Sequence, residues 1–375
     1  MKKVFNKNMF FISITTTCSL VCLVTLVSTS FPKVNLIVAS GSSSMQPLLN
    51  ALINQQNQKN LEVNVQPRGS VFGINKLMAD ETTLALSSKS PRKDIKRFSL
   101  LEKWTAKEIK TTTIGLEGIG ILAKLPADAS ANDYEINEAN ISKLYEAFAG
   151  HKQVALSEFS AKKATEDDKY FLKPFARDGG AFNSGTAESF LENSGFKNLN
   201  ISSTDLVSLE GKQNYGNFTK TTAESNSEAF SYFSKEGKEV GSITYLSLGY
   251  ILKNLEKIKA MGYTLLNVRY QNEIIEPNNR NIELNKYRWW RPFNVLTSLK
   301  SINKTTKEFL ERILFDNNDE VFASLGVLKT PPALLKKMYH LSEQEFNDPN
   351  FDFKKHLDKF YVADSKLKSY GVENE

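Results

Sequence analysis

At 375 residues the chain is too long for one small core, and it predicts two or three domains. Its formal charge of +6 is concentrated at one end: Lys2, Lys3, Lys7 and Lys33 flank an apolar segment, and without them 44 of the 48 basic residues face 42 acidic ones. That near balance offers no electrostatic case for nucleic acid.

The same composition argues against catalysis. Both cysteines, Cys18 and Cys22, lie in the N-terminal segment, so the rest of the chain carries neither a disulfide nor cysteine chemistry. His151, His340 and His356 are scattered, with no HExxH and no zinc spacing. No GxSxG elbow is present. A phosphoester hydrolase needs a metal cluster or an activated nucleophile, and neither stands at recognisable spacing. No catalytic residue, metal site or cofactor is therefore expected.

In chain order, Lys2, Lys3 and Lys7 precede an uncharged run over residues 8–31, ended by Pro32-Lys33. A basic head before an apolar stretch directs export, with the head left inside. Residues 1–33 then form a retained membrane anchor, a signal peptide cut near Ser28 to Ser30, or a lipoprotein signal acylated at Cys18 or Cys22, although the preceding residues make a poor lipobox. Each outcome places the remainder outside the cell membrane, attached to it or secreted.

Residues 34–39 (VNLIVA) read as a buried strand, and Gly41-Ser42-Ser43-Ser44 leads into a helix whose apolar face carries Leu48, Leu49, Leu52 and Ile53. Residues 61–65 alternate as a second strand. Gly69-Ser70 then opens another helix, and residues 84–86 form a third strand ending in Ser87-Ser88-Lys89. This β-α-β-α-β rhythm predicts a parallel sheet covered by helices, with ligands beyond the carboxyl ends of the strands. Residues 111–125 are long enough to cross between two lobes. A helix over 141–148 closes at Gly150, residues 151–168 are a polar loop with helical pieces, and a strand over 170–176 follows. Further expectations are a helix over 223–236, a strand over 240–246, a return crossing at 263–270, a strand over 286–297, and helices over 305–314 and 320–325. From Thr330 the chain turns polar and lysine-rich.

The segment FARDGGAFNSGTAESF, residues 175–190, joins Arg177 to Ser184-Gly185-Thr186 at the start of a helix. A helix N-terminus leaves N–H groups unpaired and partly positive. Glycine lets an anion approach, hydroxyls donate, and a guanidinium suits phosphate or carboxylate. In isolation the segment also reads as an ordinary Ser/Thr cap beside a surface arginine. With the turns at Ser42-Ser43-Ser44 and at Ser70, however, three hydroxyl-rich helix starts suggest one convergent oxyanion site.

These blocks, with LALSSKSP, ISKLYEAFAGH, GSITYLSLGY and the strand carrying Tyr287, Arg288, Arg291 and Pro292, resemble the phosphate-binding protein of the ABC-type phosphate-uptake system over residues 34–331. The resemblance implies an α/β, two-lobe periplasmic-binding-protein-like (type II) fold with the ligand cleft between lobes. Lobe I would comprise residues 34–115 and 263–345, lobe II residues 116–262, and residues 346–375 a polar helical tail. The function implied is capture of inorganic phosphate for an ABC permease and ATPase in the membrane. Ser43, Ser44 and Ser70 would bind phosphate from the first lobe; Arg177, Ser184, Gly185 and Thr186 would bind it from the second, and Ser88 is a further candidate donor.

Two departures stand out. The family spaces its arginine four residues before the serine, whereas Arg177 and Ser184 are seven apart. Either residues 180–182 bulge, with Phe182 shielding the cleft, or Arg177 is not the anion's arginine. Phosphate-selective members carry an aspartate after the third strand, where Lys89 stands here; Lys89 either binds the anion or is solvated. A surface adhesin or structural protein on the same fold is the alternative function.

Overall fold

The computed structural model describes residues 35–56, 61–161, 169–197, 199–331 and 344. Residues 1–33 and 346–375, assigned above to an export segment and a tail, lie outside the described residues. The described chain is α/β, built on one curled sheet and a small second one.

The first half of the large sheet follows the expected rhythm. Strand β1 (Asn35–Gly41) pairs in parallel with β2 (Leu61–Pro67) and with β3 (Leu84–Ser87). The connecting helices, Gln46–Gln56 and Ser70–Met78, bury Leu48, Leu49, Leu52, Ile74 and Leu77. Those positions recur every three or four residues, so each helix turns one apolar stripe to the sheet.

Strand β4 (Ile109–Ala123) is the member common to both halves. Its two ends face different partners, which curls the sheet into two lobes. After β5 (Glu135–Asn137), the second half holds β6 (Lys173–Arg177), β7 (Lys220–Thr222) and β8 (Ser242–Ser247), with β6 parallel to both β7 and β8.

The return path differs from the expectation at residues 263–270. That stretch forms β9 (Thr264–Leu265), which pairs with the far end of β4, and β10 (Asn267–Tyr270), which pairs with β5 and with β11 (Glu273–Ile275). These strands thus keep to partners of the second half, whereas the reading above grouped them with the first. Strand β12 (Trp290–Ser298) makes the return instead. It runs antiparallel to β3 and to β4, and pairs with β4 from Gly118 back to Ile109, while β8 takes Ile119 to Ala123. The short β13 (Leu328–Lys329) also pairs with β4.

One apolar core crosses both halves, from Ile37 and Leu86 through Leu116 and Ile121 to Phe148, Tyr245 and Trp289. Phe190 lies between Tyr245 and Trp289, stacked on both with ring centroids 4.2 and 5.4 Å apart. Aromatic pairs of this kind add about 0.5–1.5 kcal/mol each beyond their burial. The Trp289 indole N–H donates to the carbonyls of Ser189 and Phe190, both at 3.1 Å. These contacts dock the helix Gly185–Glu192 of the second half onto the chain just before β12.

Candidate functional site

The three hydroxyl-rich turns converge, and glycine makes the approach possible. Gly41 ends β1 at φ 140°, where a Cβ would lie 2.1 Å from the Leu86 carbonyl oxygen. Ser42 then donates its hydroxyl to Ser88 at 2.9 Å, and the Ser88 amide donates to the Ser70 hydroxyl at 3.2 Å. From the other half, Gly185 sits directly against Ser88; a Cβ there would lie 2.5 Å from the Ser88 hydroxyl. Thr186 accepts from Arg291 Nη1 at 3.0 Å, and the same nitrogen reaches Ser88 at 3.3 Å. Ser70, Ser88, Gly185 and Thr186 therefore meet in one polar knot with Ser42 and Arg291.

Arg291 is ion-paired within this knot. Its Nη2 and Nε donate to Glu117 Oε2 at 2.6 and 3.0 Å. Ser247 donates to the same carboxylate oxygen at 3.0 Å and accepts from Arg291 Nη2 at 2.8 Å. Burial pushes the Glu117 carboxyl above its usual range, although Arg291 and Ser247 pull in the other direction.

Arg177 is placed differently. The three-residue insertion is absorbed by Gly179 and Gly180, at φ 68° and 55°, and by a helical turn over Gly180–Asn183. The Arg177 guanidinium then donates to the carbonyls of Ala223 at 2.8 Å and Ser225 at 3.1 Å, and to Asn226 Oδ1 at 2.7 Å. Its Nε is buried and makes no hydrogen bond. Among the described residues no carboxylate ion-pairs with it. Burial in this setting lowers its pKa to about 10. Asn226 links the two arginines, because its side-chain amide donates to Ser247 at 2.8 Å.

Beside Asn226 opens a cavity of about 320 Å³. Ser43 and Ser44 line it from the turn that begins the Gln46 helix, Ser225 and Asn226 from the start of the helix Asn226–Glu236, and Glu117 from β4. Two helix starts thus face one space, each carrying unpaired N–H groups and partial positive charge. Ser43 also donates to Glu224, which ties the two halves together.

Of the expected phosphate ligands only Ser43 and Ser44 line this cavity; Ser70, Ser88, Lys89, Arg177, Ser184, Gly185 and Thr186 do not. Ser184 caps its helix, accepting from the Ala187 amide at 3.3 Å. The Lys89 ammonium is buried, 2.7 Å from Glu188 and 3.1 Å from Asp94. It is thus neither solvated nor open to an anion. Burial works against its charge, but Glu188 and Asp94 together hold its pKa above the usual value. One ammonium cannot neutralise two buried carboxylates, and burial pushes Glu188 up to about 7.

The residues added by the structure are Arg291, Glu117, Ser225 and Asn226. All but Asn226 left a trace in the sequence, Arg291 within the strand block quoted above. Glu117 is the one charged residue between Thr111 and Ala123, within the apolar, glycine-containing run from Ile114 to Ala123. Ser225 and Glu228 have the spacing of a capping box, and the Ser225 hydroxyl bonds both the Glu228 amide and its carboxylate.

The PBP superfamily domain matches residues 26–314. The chain belongs to the PBP superfamily. An uncharacterized lipoprotein of Mycoplasma genitalium is 35% identical over 356 residues, covering 88% of this chain and 93% of that protein. Among solved structures, a substrate-binding protein of Clostridium perfringens crystallised with phosphate shares the fold at TM-score 0.57 and 15% identity, over 79% of this chain and 100% of that one. An ABC-type phosphate transport receptor of Vibrio cholerae does so at TM-score 0.54 and 16% identity, with the same coverage. Among the described residues of this superfamily member, no helix is long and apolar enough to cross a membrane. No group of three or more His, Cys, Asp or Glu is arranged to hold a metal there.

Proposed function

We propose that this protein is an extracytoplasmic solute-binding protein that captures inorganic phosphate and delivers it to an ABC importer, tethered to the membrane through its N-terminal segment. The observation that carries this reading is Arg177: a buried cation with no ion-paired carboxylate among the described residues, although Glu224 attracts it, and bonded to Ser225 and Asn226, which line the cavity. A buried unpaired charge is expensive, and an anion in that cavity would offset it. In this reading Ser43, Ser44 and Asn226 donate to phosphate and Arg177 supplies the charge. Ser70, Ser88, Gly185 and Thr186, with Ser184 as the helix cap, keep the two halves in register, and Lys89 acts as an ion-pair partner of Glu188. Neutral donors around one cation bind a buried oxyanion without making its release impossible. Closure of the lobes about β4 and β12 is the expected response to ligand.

The lipoprotein relative supports an extracytoplasmic place, and the phosphate-holding structures of the same fold support the ligand. The test is a thermal-shift series with phosphate, sulfate and molybdate, because a ligand bound only by the folded state raises the midpoint. Phosphate should raise it in a saturable way. An unchanged midpoint at millimolar phosphate would favour the second reading, an adhesin or structural protein on this fold. Two observations support that reading: Ser43 is engaged by Glu224, and Glu117 stands on the cavity wall.

A further inference from the structure

We propose that the cavity beside Asn226 takes a phosphate monoester of a small polyol, its phosphate against the two helix starts and its carbon skeleton against the opposite wall. This inference rests on the oxyanion reading above and extends its ligand from inorganic phosphate to phosphate esters.

Three observations carry it. The first is size. A tetraoxyanion occupies about the space of two or three water molecules, roughly 60–90 Å³, and the cavity offers about 320 Å³. The second is the character of the wall. Beyond the serines and Asn226, the lining includes an apolar part made by Pro47, Leu48, Leu325, Val327 and Tyr250, beside the polar Gln46, Lys253 and Asn254. Inorganic phosphate buries no apolar surface against such groups, whereas a short carbon chain does. The third is Glu117. Its Oε2 accepts from Arg291 and Ser247, while its Oε1 makes no hydrogen bond among the described residues. Glu117 lies on the cavity wall. A carboxylate oxygen there repels a fully ionised anion but accepts readily from a hydroxyl group. Phosphate at one end, carbon in the middle and a hydroxyl for Glu117 describe a polyol phosphate. No bond is made or broken in this binding.

The experiment is calorimetric titration of the full-length protein in detergent with glycerol 3-phosphate, inorganic phosphate and glycerol. Glycerol 3-phosphate should bind at least tenfold more tightly than inorganic phosphate, and glycerol alone should not bind. The substitution Leu325→Trp, which fills the apolar side, should reduce the ratio of the two affinities at least fivefold; as a ratio, it is insensitive to general weakening of the fold. Glu117→Gln, which still accepts from Arg291, should lower the same ratio. Inorganic phosphate binding as tightly as the ester would overturn the inference and leave the transport reading standing. A ratio indifferent to both substitutions would also overturn it. If neither phosphate nor its ester binds, both readings fall together.

Discussion

Two arginines lie side by side in function but not in surroundings. Arg291 and Arg177 are both almost fully buried, at 0% and 1% exposure. Arg291 shares a carboxylate oxygen of Glu117, so its charge is balanced within the protein. Arg177 is held only by two carbonyls and an amide, and no carboxylate pairs with it among the described residues. A balanced buried pair fixes an arrangement; an unbalanced buried cation leaves a deficit that a guest can fill. The contrast separates the structural arginine of this protein from the one proposed to meet the anion.

The comparison is broken most directly at the balanced pair. Arg291→Met leaves Glu117 buried without its partner and should cost about 3–5 kcal/mol, read as a lower urea midpoint. The double substitution with Glu117→Leu should recover much of that loss. If the single change is mild, Arg291 is not the structural member. Arg177→Ala should behave in the opposite manner. Its stability cost should be smaller, about 1–3 kcal/mol for the carbonyls left unsatisfied, while the midpoint rise caused by phosphate disappears.

A smaller effect is expected where the halves touch. Gly185→Ala places a methyl against the Ser88 hydroxyl and should cost about 1–3 kcal/mol through overpacking. Ligand-induced stabilisation should weaken as well, because the Gly185 helix is pushed from the knot. The smallest effect concerns pH. Glu188 has a folded pKa of about 7 against an ordinary 4.5, so the folded state binds its proton more firmly than the unfolded chain does. The stability contribution therefore improves as pH falls from about 7 towards about 4.5, and above 7 the ionised carboxyl is carried at a cost. Lys89, with its raised pKa, contributes below its ordinary value and loses that contribution only at strongly alkaline pH. Chemical denaturation across pH 5 to 8 should show this slope, and Glu188→Gln should flatten it.

Much of the fold was legible because its signals are local. The periodic apolar stripes at Leu48, Leu49 and Leu52, the helix stop at Gly150 and the long apolar run through β4 each act within a few residues of themselves. The crossing at residues 263–270 was misread because a short apolar run does not reveal its partner; β9 and β10 are short strands whose pairing is set by β4 and β5. The candidate site divides in the same way. The three hydroxyl turns were visible as turns, but the tie of Arg291 to Ser88 and Thr186 joins residues more than a hundred positions apart.

By itself the sequence determined the types of group available: helix starts rich in hydroxyls, few charges near them, and a rhythm that builds a helix-covered sheet. It also pointed to the PBP superfamily, through blocks that keep their order along the chain. Tertiary structure alone decided which charges cancel. Lys89 is ion-paired with Glu188 and Asp94, Arg291 with Glu117, and Arg177 with no carboxylate among the described residues, Glu224 acting on it only from beyond ion-pair distance. Electrostatic energy depends on distance and burial rather than on position in the chain, so that division becomes visible only when the two halves are brought together.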